Sequence, residues 1–338
     1  MIAVSISGEK SVKLIEVDKP QLKPGEVLIK IKYVGFCGSD LNTFLGKNPM
    51  VKLPVTPGHE IGGVVVEVSE GVPDNIKVGM ACSVNPYTSC AHCSSCRNRR
   101  TNACRFNQTL GVQRNGAMCE YIAIPWEKVI TDDELSPLNF ALVEPMSVGF
   151  HAVSRAEVTD MDTVMIIGCG MIGIGAIVRS AIRGAKVIVV DIDDEKLKLA
   201  HKLGAHHTIN SLSEDVHQKL TEITGGAGPD VIIEAVGAPS TYQMAINEVA
   251  FTGRVVCIGY AKSEIAFETK YFVMKELDIR GSRNSLPEDF RAVMKYLRQN
   301  KWVTDHLISG IYKPENASKA LGKWAADPGK VFRILIEF

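Results

Sequence analysis

Two hydrophobic rhythms divide the chain. Up to about Ala141, apolar and polar positions alternate in short stretches punctuated by Gly and Pro, as in 27–31 (VLIKI), 63–68 (GVVVEV) and 121–124 (YIAI). Such alternation predicts half-buried strands of an antiparallel, barrel-like β domain. From about Asp162 the pattern becomes buried apolar runs at 164–167, 187–190, 231–233, 255–258 and 277–279. Helical stretches separate them, such as 194–203, where Leu197, Ala200 and Leu203 share a face. Apolar strands alternating with helices predict parallel βαβ units with both sheet faces covered. After Gly281 comes a helix from Pro287 to about Gln299 and a closing strand over 331–336, a tail expected to return to the first domain.

The 338 residues are enough for about two domains, each with its own core. Lys plus Arg and Asp plus Glu balance at 38 each, so no global charge draws the chain to nucleic acid or an anionic membrane. Glu9, Lys10 and Lys13 fall where a signal peptide needs an apolar stretch. The longest nearly apolar run, 163–178, is shorter than a bilayer span and is interrupted by glycines, so neither export nor anchoring is expected. The expected location is the cytoplasm. Nine cysteines, an odd number, argue against a disulfide framework and for metal ligation or chemistry.

Gly168-Cys169-Gly170-Met171-Ile172-Gly173 is a G-x-G-x-x-G that follows an apolar run and opens a helix at Met171. In that context Gly168 serves a tight turn, Gly170 lets the backbone approach a pyrophosphate, and Gly173 lets helix pack on strand. The helix N-terminus offers the phosphates free N–H groups. Asp191, 18 residues after Gly173, stands where an acid holds a ribose diol, and no arginine follows it in 192–194. A 2′-phosphate would be repelled there, which favours NAD over NADP.

Cys90, Cys93, Cys96 and Cys104 place four soft ligands within fifteen residues. This spacing suits a closed tetrahedral structural zinc, with an iron–sulfur cluster as the rival. Cys37, in a Gly-Phe-Cys-Gly-Ser-Asp stretch, and His59-Glu60, in Gly-His-Glu-Ile-Gly-Gly, supply the thiolate, imidazole and acid of a catalytic zinc with an open position. Cys82, Cys119, Cys169 and Cys257 read as small buried hydrophobes.

Taken in order, Cys37-Gly-Ser-Asp40, Gly58-His-Glu60 with Gly63, the cysteine lobe, Val143-Glu144-Pro145, the glycine fingerprint and Asp191 resemble the zinc-dependent medium-chain dehydrogenase/reductase family, the alcohol and polyol dehydrogenases. The resemblance implies an α/β plus β protein: a GroES-like β-barrel catalytic domain with an inserted Rossmann doubly wound sheet and the active site in the cleft. The division it implies is 1–150, with the zinc lobe at 88–106, then a Rossmann domain at 151–281 and a C-terminal return at 282–338. It places the catalytic zinc on Cys37, His59 and Glu144, with Glu60 as a neighbouring acid that binds the metal or exchanges with water. Two carboxylates and one thiolate make a harder site than two cysteines and a histidine. Asp40 would orient His59, and Lys196 would reach the adenosine ribose.

Two positions depart from the family pattern. Asn42 replaces the histidine that ends the proton relay, and Ser69 stands where the zinc signature has Gly or Ala. The implied reaction is reversible oxidation of a secondary or primary alcohol, with zinc lowering the hydroxyl pKa, Ser39 taking the proton and NAD taking the hydride. The implied substrate is a polyol, sugar or sugar acid. Alternatives are threonine- or simple-alcohol-type activity, a zinc-free quinone reductase, and a non-catalytic NAD- or metal-sensing protein. Arg283, in Gly281-Ser-Arg-Asn284, is a candidate for recognising a carboxylate or phosphate. A homodimer or homotetramer is expected by resemblance, with 255–258 and 263–267 as a sheet edge for pairing.

Overall fold

The computed structural model describes residues 1–338 and separates them into two compact units, Met1–Pro145 with Leu286–Phe338, and Met146–Ser285.

The second unit is built on a six-stranded parallel sheet in the order His207–Asn210, Lys186–Asp191, Thr163–Ile167, Val231–Glu234, Arg254–Cys257, Asp278–Gly281. Numbered along the chain this is 3-2-1-4-5-6, the doubly wound order whose switch point lies beside the first strand. The inner strands are apolar because both faces are covered: Val187, Ile188 and Val189 are fully buried, as are Val231, Ile232 and Ile233. His207–Asn210 has no apolar run because only Ile209 is buried, and alternation over four residues leaves little pattern to read.

Two expectations about this sheet are corrected. Arg254–Cys257 is not an edge, since it pairs on one side with Val231–Glu234 and on the other with Asp278–Gly281. Residues 263–267 form no strand. The outer strand is Asp278–Gly281, largely exposed, so the run at 277–279 is not a buried one. Cys257 is likewise only half-buried, whereas Cys82, Cys119 and Cys169 are buried as expected.

In the first unit, seven strands form one sheet whose main path runs Ile308–Tyr312, Arg333–Glu337, Glu26–Phe36, Glu60–Val68, Ala81–Val84, Val129–Thr131, with Tyr121–Pro125 also on Glu26–Phe36. All pairings are antiparallel except that of Ile308–Tyr312 with Arg333–Glu337. The main path is open with two ends, and Tyr121–Pro125 branches from it. The C-terminal strand pairs Ile334 to Phe36, placing the last segment against the strand that leads to Cys37. Val27, Ile29, Ile31, Phe36, Ile61, Val65, Ile334 and Ile336 join one core with Leu321 and Trp324.

Ser69 turns out to fasten this sheet. Its hydroxyl accepts from Glu26 N at 2.9 Å and donates to Lys23 O or Glu26 O at 2.8 Å, tying the start of Glu26–Phe36 to the end of Glu60–Val68. No helix is long and apolar enough to cross a membrane.

Candidate active site and metal centres

The antiparallel register sets the first cluster. Gly35 pairs with Glu60, so Cys37, just past one strand, and His59-Glu60, opening the other, meet at the same end of the sheet. Gly58, at φ +102°, makes the turn into His59, and a side chain there would run into Val34. A Cβ at Gly35 would collide with the Glu60 carboxylate. The Cys37 sulfur, a His59 nitrogen and a Glu60 oxygen lie within 4.8 Å of one another.

These groups are buried without the partners burial demands. Neither carboxylate oxygen of Glu60 makes a hydrogen bond, nor does His59 Nδ1, nor Ser39 Oγ. Unbonded buried polar atoms are costly, and their convergence marks a place where something else binds. Burial pushes Glu60 up to about 7 in spite of the nearby Arg333 guanidinium. Burial lowers the His59 pKa, but Cys37, Glu144 and Asp40 outweigh it and hold the imidazole well above its ordinary value. The cluster is short of positive charge, and a thiolate, an imidazole and a carboxylate are the donor set of an open zinc site.

Arg333, which sequence reasoning missed, is the guanidinium built into this centre. It is 4 % exposed, its Nε lies 3.1 Å from Glu60 Oε2, and its Nη1 donates to Phe36 O at 2.5 Å. The Nε contact is a charge pairing without hydrogen-bond alignment. A lone arginine in the last strand carries no motif, so only the β pairing could reveal it.

Glu144 lies in the first turn of the helix Val143–Arg155 and is buried. Its charge acts on His59 and Glu60, yet it stands outside the tight trio and accepts a hydrogen bond from the Tyr87 hydroxyl. The expected set of Cys37, His59 and Glu144 therefore meets a geometry that groups Cys37 and His59 with Glu60 instead. Asp40 accepts from Cys37 N at 2.8 Å and from the Gly58 backbone, so it fixes the two segments flanking the ligands and acts on His59 through its charge.

The second cluster is the cysteine lobe. Its Sγ–Sγ separations are 3.9 Å for Cys90–Cys96, 3.6 Å for Cys93–Cys96 and 3.8 Å for Cys93–Cys104. A tetrahedron with zinc–sulfur distances of about 2.3 Å has edges of about 3.8 Å, so the sulfurs are spaced for one metal ion and not for disulfides. Backbone N–H groups of Cys93 and Phe106 donate to Cys90 and Cys104 sulfur, each at 3.3 Å. Amide donors from Arg105 and Cys96 bring Cys93 down to about 6, favouring the thiolate.

In the second unit, Gly168 has φ +97°, the space at Gly170 is open, and a Cβ at Gly173 would strike Gly168 O as the helix Met171–Ile182 begins. Asp191 accepts from Cys169 N at 2.5 Å, Ile192 N at 2.7 Å and Asp193 N at 3.0 Å, which locks its carboxylate beside the glycine turn. Lys196 is buried in the first turn of Asp194–Lys202, and Arg283 is exposed.

Two family models match the chain: the alcohol dehydrogenase GroES-like domain over residues 23–133 and the zinc-binding dehydrogenase over 172–299. Erythritol/L-threitol dehydrogenase of Mycolicibacterium smegmatis is 34 % identical, covering 95 % of this chain and 93 % of that protein. The chain belongs to the zinc-dependent medium-chain dehydrogenases. L-galactonate-5-dehydrogenase of Escherichia coli is 32 % identical over 85 % of this chain and 84 % of its own length. The crystal structure of the RspB dehydrogenase of E. coli CFT073 with NADH superimposes with a TM-score of 0.91 at 28 % identity, covering 100 % of this chain and 99 % of that one. The chain is thus a dehydrogenase with a GroES-like domain and a Rossmann sheet, as its residues led one to expect.

Proposed function

We propose that this dehydrogenase oxidises a secondary or primary hydroxyl of a polyol, sugar or sugar acid, reversibly and with NAD, at a zinc held by Cys37, His59 and Glu60 with Glu144 beside it. The observation that carries this reading is the convergence of three metal-binding donors, with His59 Nδ1 and both Glu60 carboxylate oxygens buried and making no hydrogen bond. Zinc there supplies Lewis acidity that lowers the pKa of a substrate hydroxyl, and NAD supplies the hydride acceptor.

The chain's own residues do the rest. Ser39 Oγ, buried and unbonded, is placed to take a proton from the substrate. Asn42 cannot titrate, so the proton leaving Ser39 must reach solvent or another base. Arg333 steadies the negative charge of Glu60, and Asp40 holds the Cys37 and Gly58 backbones. Cys90, Cys93, Cys96 and Cys104 would hold a second, structural zinc. Gly168, Gly170, Met171, Ile172, Gly173, Asp191 and Lys196 would bind NAD, the locked Asp191 carboxylate disfavouring a 2′-phosphate.

The polyol and sugar-acid relatives support the substrate class. The same reading takes 1–150, 151–281 and 282–338 as the segments of a barrel-like catalytic domain, a Rossmann domain and a return, in a cytoplasmic homodimer or homotetramer. Arg283 is carried as the candidate for an anionic substrate group; an Arg283→Ala variant with unchanged KM for the best carboxylated or phosphorylated substrate would remove it. The test is a screen of NADH formation over polyols, sugar acids, sugar phosphates, threonine and simple secondary alcohols, with metal analysis. Polyol- or sugar-dependent NADH formation with metal in both clusters is expected. Absence of metal from the Cys37–His59–Glu60 cluster would overturn the reading.

A further inference from the structure

The donor that holds Glu144 has no place in the reaction as described so far. Tyr87 is buried, 4 % exposed, and its hydroxyl donates to Glu144 Oε1. The residue is fixed from three sides. Its backbone N donates to Asn85 Oδ1 at 3.1 Å, its backbone O accepts from Lys128 Nζ at 2.8 Å, and its ring packs edge-on against buried Phe290 at 6.5 Å and 70°. A phenol anchored this firmly fixes whatever it bonds.

The charge around Glu144 explains why that matters. Glu60 is buried as well, and the Glu144 carboxylate raises the cost of charge on Glu60. Like charges repel, so a carboxylate beside them keeps its aim only where it is held. A lysine or arginine in Tyr87's place would hold it too, but would cancel the negative charge that a divalent cation needs. A neutral hydroxyl donor holds the carboxylate and leaves its charge intact.

We propose that Tyr87 is a positioning residue of the metal centre, whose hydroxyl fixes the orientation of the Glu144 carboxylate beside Cys37, His59 and Glu60. The proposal rests on the reading that this cluster holds zinc. It assigns a role to a tyrosine three residues before Cys90, so one short segment serves both metal clusters.

The test compares wild type with Tyr87→Phe, Glu144→Gln and the double variant, using purified zinc-loaded protein. Tyr87→Phe keeps the ring against Phe290 and removes only the hydroxyl; thermal melts confirm that each variant folds. Zinc loss to a chelator is followed, and the phase absent in His59→Ala identifies the catalytic site. Visible spectra of the cobalt(II)-substituted proteins report the ligand field directly. The expected result is that Tyr87→Phe speeds loss from that site about 10-fold, shifts the cobalt bands and lowers kcat more than it raises KM. It should add little once Glu144 is already Gln.

If Glu144→Gln changes zinc release and spectrum while Tyr87→Phe changes neither, the Tyr87 proposal is overturned and the metal reading stands. If neither variant changes them, Glu144 has no hold on the metal and the Tyr87 proposal falls. If wild type shows no His59-dependent metal at all, the metal reading fails, and the proposal with it.

Discussion

The lobe at 90–104 draws four ligands of one kind from a single stretch of chain, whereas the centre draws a thiolate, an imidazole and a carboxylate from two strands, with its counter-charge in the last strand. No residue between Val84 and Leu110 joins the core cluster of the sheet, although Tyr87 and Cys104 are buried, so the lobe leans little on that core. The centre is the reverse case. Phe36 and Ile61, next to its ligands, are fully buried, and its geometry is held by strand register, by Asp40 and by Arg333. The difference teaches that one cluster is set out by spacing within a single loop, while the other is held by strand pairing and keeps bonding capacity in reserve for chemistry.

Breaking each cluster separately tests this. His59→Ala should cut kcat/KM by ~10³-fold or more, since Lewis-acid stabilisation is worth several kcal/mol, with one metal lost per chain and little change in Tm. Loss of metal from both clusters would sink the claim that they are independent. Cys93→Ser should instead release the lobe's metal, open 90–104 to protease and destabilise the protein by roughly 4 kcal/mol. Activity should fall less than in His59→Ala, through the loosened segment that leads back to Tyr87; an unchanged melt would contradict the stapling role.

Arg333→Met sharpens the comparison, because it removes the counter-charge built into the centre. Leaving Glu60 buried and unpaired should cost about 3 kcal/mol in metal-free protein. With zinc bound, the cation takes over that duty and the cost should shrink. The measurement is the difference in Tm between variant and wild type, with and without chelator. Equal differences in both conditions would show that Arg333 serves packing alone.

The same contrast governs how much could be read from the residues. The lobe was legible as spacing, because its ligands are local. The fingerprint was legible because its glycines answer to a strand, a turn and a helix within a few positions, and the six-stranded sheet confirms that context. The centre was legible in Cys37, His59 and Glu60, which carry motif neighbours. Arg333 and Tyr87 were not, because each acts through a tertiary contact with no periodicity or spacing behind it. The outer strand Asp278–Gly281 was misread as buried, since a leucine and an isoleucine give an edge strand the texture of an inner one.

Ser69 provides the smallest test and the one farthest from any ligand. Its hydroxyl ties together the ends of the two strands whose opposite ends carry Cys37 and His59-Glu60. Ser69→Ala removes an acceptor for Glu26 N and a donor to the Lys23 and Glu26 carbonyls. A hydrogen bond of this kind is worth about 1 kcal/mol, so urea melts should show a lower midpoint with an unchanged slope. If the centre is held by the whole strand register, the eight paired positions between these ends should carry the geometry regardless. Zinc content, KM and kcat should then match wild type. A fall in kcat or in bound metal would mean that the centre's preorganisation depends on this distant latch, and that its independence from local bonding has been overstated.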